Sequence, residues 1–257
     1  MLTPARKING LSIAATDGQI GTVKDLYFDD LSWTVRYLVV DSGKWLPGRK
    51  VLISPMSVTS PDLSVEVPVK LTREQVKQSP PIEADKPVDR QHEEVLARYY
   101  NYTYYWDGPY RWGLLAYPGL PPVPPAGIAA EPAAAELAAR SVGDSSLRSA
   151  RDVTGYNIAA LDGDLGHVQD FLVDSRAWAI RYLVVDTANW WPGKKVVVSP
   201  EWIKTVSWSD SRVYVDLRRD EIKSAPEYDP SGTFERDYEN RLFEHHGRRK
   251  YWEWEDR

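Results

Sequence analysis

The sequence predicts a mainly β protein, built as two small, mostly antiparallel β-barrels, each followed by short helices and an aromatic tail. Three observations lead there. Short runs rich in β-branched and aromatic residues are separated by turn signals about every ten residues. The pattern returns 145 residues later along the chain. Each copy then passes into helix-like segments and a cluster of Tyr and Trp.

In the first copy, Ser12 to Thr16 reads as a short strand, and Asp17-Gly18 as a turn, because glycine tolerates positive φ. Ile20 to Phe28 is a second strand, closed by Asp29-Asp30-Leu31-Ser32. Trp33 to Val40 is the clearest strand. Val35, Tyr37 and Val39 alternate with Arg36, Leu38 and Val40, so both of its faces are largely apolar, as in a strand covered on two sides. Pro47-Gly48 marks a turn, Lys50 to Ile53 the next strand and Ser64 to Val69 the last. Trp33 and its counterpart Trp178 are expected in the core.

The repeat is internal and long. Residues 17–55 align with 162–200 without a gap, with 20 identities in 39 positions. Beyond a one-residue insertion, Leu71–Lys77 aligns with Leu217–Lys223, Val88–Leu96 with Phe234–Leu242, and Tyr105-Trp106 with Tyr251-Trp252. The expected divisions are a first barrel at 5–80, a helix and aromatic extension at 81–112, a Pro/Ala-rich linker at 113–149, a second barrel at 150–226 and a second extension at 227–257. Within the linker, Ala133 to Arg140 reads as a short helix.

Composition narrows the chemistry. The chain has 257 residues and no cysteine, so disulfides, thiol nucleophiles and Cys-bearing metal sites are excluded. A net charge of −5 argues against broad nucleic-acid binding, which needs a basic face. No run approaches the roughly 18 apolar residues of a membrane span. The opening residues Met1–Gly10 hold no apolar signal region, so the expected location is cytoplasmic.

Three ordered motifs appear in both copies: Asp-Gly-x-x-Gly-x-Val-x-Asp, then Trp-x-x-Arg-Tyr-Leu-Val-Val-Asp, then Trp-x-Pro-Gly-x-Lys-Val-x-x-Ser-Pro. In this ordered set the chain resembles the PRC-barrel family, which includes the cytoplasmic part of the photosynthetic reaction-centre H subunit and the C-terminal domain of a bacterial ribosome-maturation factor. The likeness covers about residues 8–80 and 153–225. It implies a small β-barrel in each copy and a docking or assembly role, with no catalytic residue to carry over. The membrane helix of the one relative and the N-terminal domain of the other have no counterpart in this sequence, and the duplication is similar to free-standing two-barrel bacterial proteins.

Reactive constellations are sparse. Asp17, Asp25, Asp29 and Asp41 recur as Asp162, Asp170, Asp174 and Asp186. As a carboxylate cluster they suit a metal or a proton relay; as turn residues they accept backbone N–H bonds, and the second reading is the expected one. Arg36 and Arg181 lie mid-strand among apolar residues, where pairing with one of these Asp residues is expected. His92 and His167 are replaced by Tyr238 and Thr22 in the other copy, and no metal-binding histidine spacing occurs. His245-His246 fits a helix C-terminus. Nucleotide-binding loops and a Gly-x-Ser-x-Gly elbow are absent.

The aromatic tails are the most unusual feature, and they supply the candidate partner-binding residues: Tyr99, Tyr100, Tyr102, Tyr104, Tyr105, Trp106, Tyr110 and Trp112, with Tyr251, Trp252 and Trp254 at the second tail. Tyr and Trp anchor interfaces, but the same residues could instead complete the small core of their own barrel, or swap between subunits. The expected function is a non-enzymatic protein-interaction or assembly module, self-associating or bound to another protein, with no cofactor and no nucleic acid. The alternatives are peripheral docking on a membrane photosynthetic or electron-transfer complex, a small-ligand barrel, and a hydrolase using Asp at a barrel mouth. A repeated scaffold without a repeated chemical constellation is the premise for setting enzymes aside.

Overall fold

The computed structural model describes residues 1–43, 45–46, 50–81, 88–119, 147–187, 194–232 and 234–255. The Pro47-Gly48 turn and the helix expected at 133–140 lie outside them, as does 120–146 of the expected linker. The chain is mainly β. It divides into two compact units, one formed by Thr3–Arg151 with Val173–Ile180, the other by Met1–Leu2, Asp152–Leu172 and Arg181–Arg257.

The N-terminal unit begins with a short strand β1 (Leu2–Pro4) and one helical turn α1 (Ala5–Ile8). The barrel strands are β2 (Ser12–Ala15), β3 (Gly18–Asp29), β4 (Thr34–Asp41), β5 (Lys50–Ile53) and β6 (Glu66–Pro68). Neighbouring pairs β2–β3, β3–β4 and β4–β5 are antiparallel, while β6 returns parallel to β2. Register shifts at Val23/Asp25 and Tyr27/Phe28 bend β3, so one long strand serves as two walls. Its first part pairs with β2. On its last part, Tyr27–Asp29 pair with β7 (Leu147–Ser149), an edge strand formed by residues read from the sequence as linker.

The Asp-Gly-x-x-Gly motif has a mechanical explanation. Gly18 turns the chain at φ 136°. A Cβ on Gly21 would stand 2.1 Å from the Asp41 carbonyl oxygen, so only glycine lets β3 pass the end of β4. The Asp17 carboxylate accepts the Arg73 N–H at 2.7 Å, at the first turn of α2 (Arg73–Gln78), whose N-terminus also carries a Thr72/Gln75 capping box. The motif thus pins a helix start to a strand start.

Every residue from Thr34 to Val40 is buried. The outer side is covered by α3 (Arg90–Tyr100), with Tyr37, Val39, Leu52, Val88 and Leu96 forming one cluster. This explains the two apolar faces of β4. Helix α3 starts where the Asp89 carboxylate caps the His92 N–H at 2.9 Å, and it ends at Asn101 in the left-handed region.

The tip Val173–Ile180 completes this unit. Ala179 pairs with Thr34, the Val35 N–H donates to the Trp178 carbonyl at 2.8 Å, and the Ile180 N–H donates to the Trp33 carbonyl at 2.7 Å. Trp178 is 1 % exposed. Trp33 corrects the core expectation: it is only half-buried, because it sits at the hairpin turn with φ 51° and lays its ring on Phe28, centroids 5.2 Å apart.

The C-terminal unit repeats these elements after a helical turn α4 (Ala150–Val153), which spans the boundary between the units. Strands β8 (Asn157–Ala160), β9 (Gly163–Asp174), β10 (Ala179–Asp186) and β11 (Lys195–Val198) follow in the same order. The β8–β9 register, Asn157↔His167 to Ala160↔Gly163, is the β2–β3 register shifted by 145 residues, irregularity included. One difference is a true hairpin, β12 (Ile203–Ser207) with β13 (Arg212–Val215). The corresponding stretch of the first copy holds Pro61, which cannot donate to a ladder, and keeps only a Val58↔Val69 bridge. Helices α5 (Arg219–Ser224), α6 (Arg236–His245) and α7 (Trp252–Glu255) close the chain. Among the described residues, no helix is long and apolar enough to cross a membrane.

Candidate functional site: a repeated cation–aromatic clamp

Two buried residues of the N-terminal barrel wall start the site. Asp29 ends β3 and Arg36 stands mid-β4, and their side chains pair at 2.9 Å. Ser32 Oγ donates to Asp29 at 2.7 Å and accepts from Arg36 at 3.0 Å. Burial pushes the Asp29 carboxyl up, but the Arg36 charge and the Ser32 and Arg36 hydrogen bonds outweigh it and hold the group below its ordinary value. The ion pair expected from a mid-strand Arg is therefore present.

The aromatic tail lies over this pair. The Arg36 guanidinium sits 3.7 Å from the Tyr105 ring centroid and 4.8 Å from that of Trp112. Arg36 also donates to the Arg111 carbonyl at 2.6 Å, while Arg111 donates to Ser32 O and Thr34 Oγ1 at 2.6 and 2.8 Å. From α3, Arg90 donates to Tyr105 Oη at 2.9 Å and stands 4.1 Å from the Trp106 centroid. The Tyr105 hydroxyl in turn donates to Glu93 at 2.7 Å. Burial raises the Tyr105 hydroxyl well above its ordinary value, and the Glu93 carboxyl to about 7.

Each candidate residue of the first tail has a defined place. Trp112 is 1 % exposed and donates its indole N–H to the Ala177 carbonyl at 2.9 Å. Tyr100, Tyr102, Tyr104, Tyr105 and Trp106 are half-buried. Tyr100 and Tyr102 stack at 5.5 Å, and Tyr104 and Trp106 at 4.9 Å. Tyr99 is exposed on α3 and donates to the Gln75 carbonyl at 2.8 Å. Tyr110 is 60 % exposed at a turn closed by its own N–H to Gly113 O. Beneath the tail, bounded by Arg36, Tyr37, Met56 and Trp112 among others, the remaining cavity is about 20 Å³, room for one water.

The C-terminal unit builds the same clamp. Arg181 stands 4.1 Å from the Tyr251 ring centroid, and Arg236 4.1 Å from that of Trp252. Glu239 pairs with Arg236 at 2.9 Å and accepts the hydroxyls of Tyr182 and Tyr251, both at 2.8 Å. Tyr251 is buried and Trp252 half-buried. Trp254 belongs to α7, and its side chain lies outside the described residues.

This corrects the premise that no chemical constellation is repeated. Arg36, Arg90, Glu93, Tyr105 and Trp106 recur as Arg181, Arg236, Glu239, Tyr251 and Trp252. The two helix pairs, Arg90/Glu93 and Arg236/Glu239, were missed as site residues. Their signal was an Arg-x-x-Glu-x-x-Leu pattern kept by both copies in a stretch that otherwise diverges.

Apart from Asp29, the repeated Asp residues fasten turns, helix starts and a neighbouring strand. Asp25 accepts the Ser149 hydroxyl at 2.5 Å and the Arg151 N–H at 3.1 Å, fastening β7, and burial raises its carboxyl above the ordinary value despite these bonds. Asp41 accepts the Gly43 N–H at 2.8 Å, and Asp162 accepts the Arg219 N–H at 2.8 Å, as Asp17 does for Arg73. Among the described residues, no group of three or more His, Asp or Glu side chains is arranged to hold a metal ion.

Comparison with known proteins adds two findings. Residues 4–68 match the PRC-barrel domain, so the first barrel is one. The chain is also similar to an uncharacterized protein of Deinococcus radiodurans, 32 % identical over 90 residues, a match covering 34 % of this chain and 31 % of that protein. The match thus spans about a third of the length of that curated relative.

Proposed function

We propose that the chain is a non-enzymatic protein-interaction module made of two PRC-type barrels, the second repeat being a PRC barrel like the first, and that it works in the cytoplasm. The observation that carries this reading is the way the first aromatic tail divides. Its inner residues fill the clamp and leave about 20 Å³, too little for a substrate. Its outer residue Tyr110 and, just beyond it, Leu114 and Tyr117 remain 60, 52 and 46 % exposed on one loop, with the Arg176 guanidinium 5.8 Å from the Tyr117 ring centroid. Exposed Tyr residues held by a rigid base suit a protein contact, because their area is presented at little cost in chain entropy. The partner is a second protein or another copy of this chain. Docking on a membrane complex, in the manner of the reaction-centre H subunit, draws only on the family likeness of residues 4–68, and nothing in the clamp favours it.

The test is the double variant Tyr110→Ser with Tyr117→Ser. The expected result is loss of cross-linked partner, or of self-association in sedimentation, with stability changed by no more than about 0.5 kcal/mol. Unchanged complexes would count against the reading.

A further inference from the structure

The C-terminal barrel holds a cavity that its clamp does not use. The volume is about 350 Å³, against about 20 Å³ beneath the first tail. Small-molecule pockets begin at roughly 300 Å³. This cavity lies where the start of β9, the end of β10 and the start of β11 meet helix α5.

The helix that walls it is held at both ends. At its start, the Asp162 carboxylate accepts the Arg219 N–H at 2.8 Å. At its end, the Lys194 ammonium donates to the carbonyls of Lys223 and Ala225, the latter at 3.0 Å. Ile222, buried, anchors the middle in the core. The Thr187 hydroxyl donates to the Lys194 carbonyl at 2.8 Å, which fixes the backbone carrying that lysine. Walls built this way are in place before anything binds, so a ligand has little to order.

The lining divides by chemistry. Leu165 and Val196, both buried, give an apolar floor. Arg219 and Lys223 stand four residues apart on α5 and so share one side of it. Gly163 leaves room for the arginine, since a Cβ there would come within 3.2 Å of Arg219 Nη1. With Lys194 these make three cations, set against the carboxylates of Asp162 and Asp220. Among the described residues the lining therefore carries an excess of one positive charge. A singly charged anion balances it, whereas a nucleotide or polyphosphate would overshoot and meet like charge at Asp220. An inorganic anion would leave the apolar floor uncovered.

We propose that this cavity binds a small aliphatic monocarboxylate, its carbon body on Leu165 and Val196 and its carboxylate on the side of Arg219 and Lys223. The site belongs to the C-terminal barrel: the matching arginine of the first barrel, Arg73, lies against the Trp45 ring, 4.8 Å from its centroid. The inference does not depend on the aromatic rim, and it adds a small ligand to a chain read so far as a protein-binding module.

The experiment is a titration of the isotope-labelled full chain with sodium hexanoate, followed by amide NMR shifts and by calorimetry. Hexanoate should bind saturably with a Kd below about 1 mM and move the signals of Leu165, Val196 and Arg219. Hexanol has the body without the charge, and inorganic phosphate the charge without the body, so each should bind at least about tenfold more weakly. Arg219→Gln and Lys223→Gln should each weaken hexanoate at least about tenfold, as loss of a hydrogen bond to a charged group does. Lys223 is exposed, so its variant tests the site even if Arg219→Gln does not fold. Arg73→Gln should leave the affinity unchanged. Absence of saturable binding up to about 10 mM overturns the proposal. So does hexanol or phosphate binding as tightly as hexanoate, wild-type affinity in Lys223→Gln, or a loss of affinity in Arg73→Gln.

Discussion

Trp33 and Trp178 hold one another's hairpins. Both occupy the left-handed backbone region, at φ 51° and 56°, and each offers its carbonyl to the residue two places beyond the other: Val35 to Trp178, Ile180 to Trp33. Equivalent residues thus exchange equivalent bonds, the signature of a self-complementary contact.

Their side chains are not equivalent. Trp178→Ala should cost about 3–5 kcal/mol, because a fully enclosed indole leaves a cavity. Trp33→Ala should cost less, since its ring lies half in solvent on Phe28. Urea denaturation of the two variants checks the order; equal losses would contradict it.

Asp29 and Arg36 form the most buried ion pair of the clamp. Asp29→Asn strands the guanidinium and should cost about 3–5 kcal/mol, and Asp29→Asn with Arg36→Met should recover much of that. Because the folded Asp29 carboxyl lies below its ordinary value of 3.8, its contribution is present above that value and is lost as pH falls through the lower folded value. Wild-type denaturation between pH 6 and pH 2.5 should show this loss, and the Asn variant should show less of it.

Much of this architecture could be read directly from the residues. The repeat, the strand at 34–41 and the Asp-Gly turn follow from identity and alternation, which are local. What escaped was set by distance. Arg90 and Glu93 look like an ordinary helix-surface pair until Tyr105 and Arg36 enclose them. Leu147–Ser149 has only three residues and becomes a strand because Asp25 and Asp30 bind Ser149 and Arg148. Trp33 has the composition of a core residue, but its turn geometry directs it partly outward.

Gly21 and Gly166 face the same obstruction, a carbonyl oxygen 2.1 Å from an added Cβ, on Asp41 and Asp186 respectively. Gly21→Ala and Gly166→Ala should each destabilise the chain by about 1–3 kcal/mol or more, as overpacking against backbone does. Gly10→Ala meets no atom within 4 Å, but its φ of 94° still carries strain, so it serves as a conformation-only control. Thermal melts compare the three, and equal shifts would show that close approach is not the cause.

Trp112 ties the tail to the unit through its buried ring and its bond to Ala177. Trp112→Ala should cost about 3–5 kcal/mol. It should also raise proteolytic cleavage after Arg111, whose side chain is held by Ser32 and Thr34. Normal stability with an uncleaved tail would mean that the segment is not part of the core.

If the clamp presents its aromatic rim to another protein, that protein must lie against Tyr110. Site-specific photocross-linking from position 110 of the full chain, in its native cells, tests it most directly. One discrete protein adduct is expected, diminished by Tyr117→Ser and not formed by a cross-linker at the buried position 178. Failure to form an adduct from position 110, or the same adduct from both positions, would contradict it.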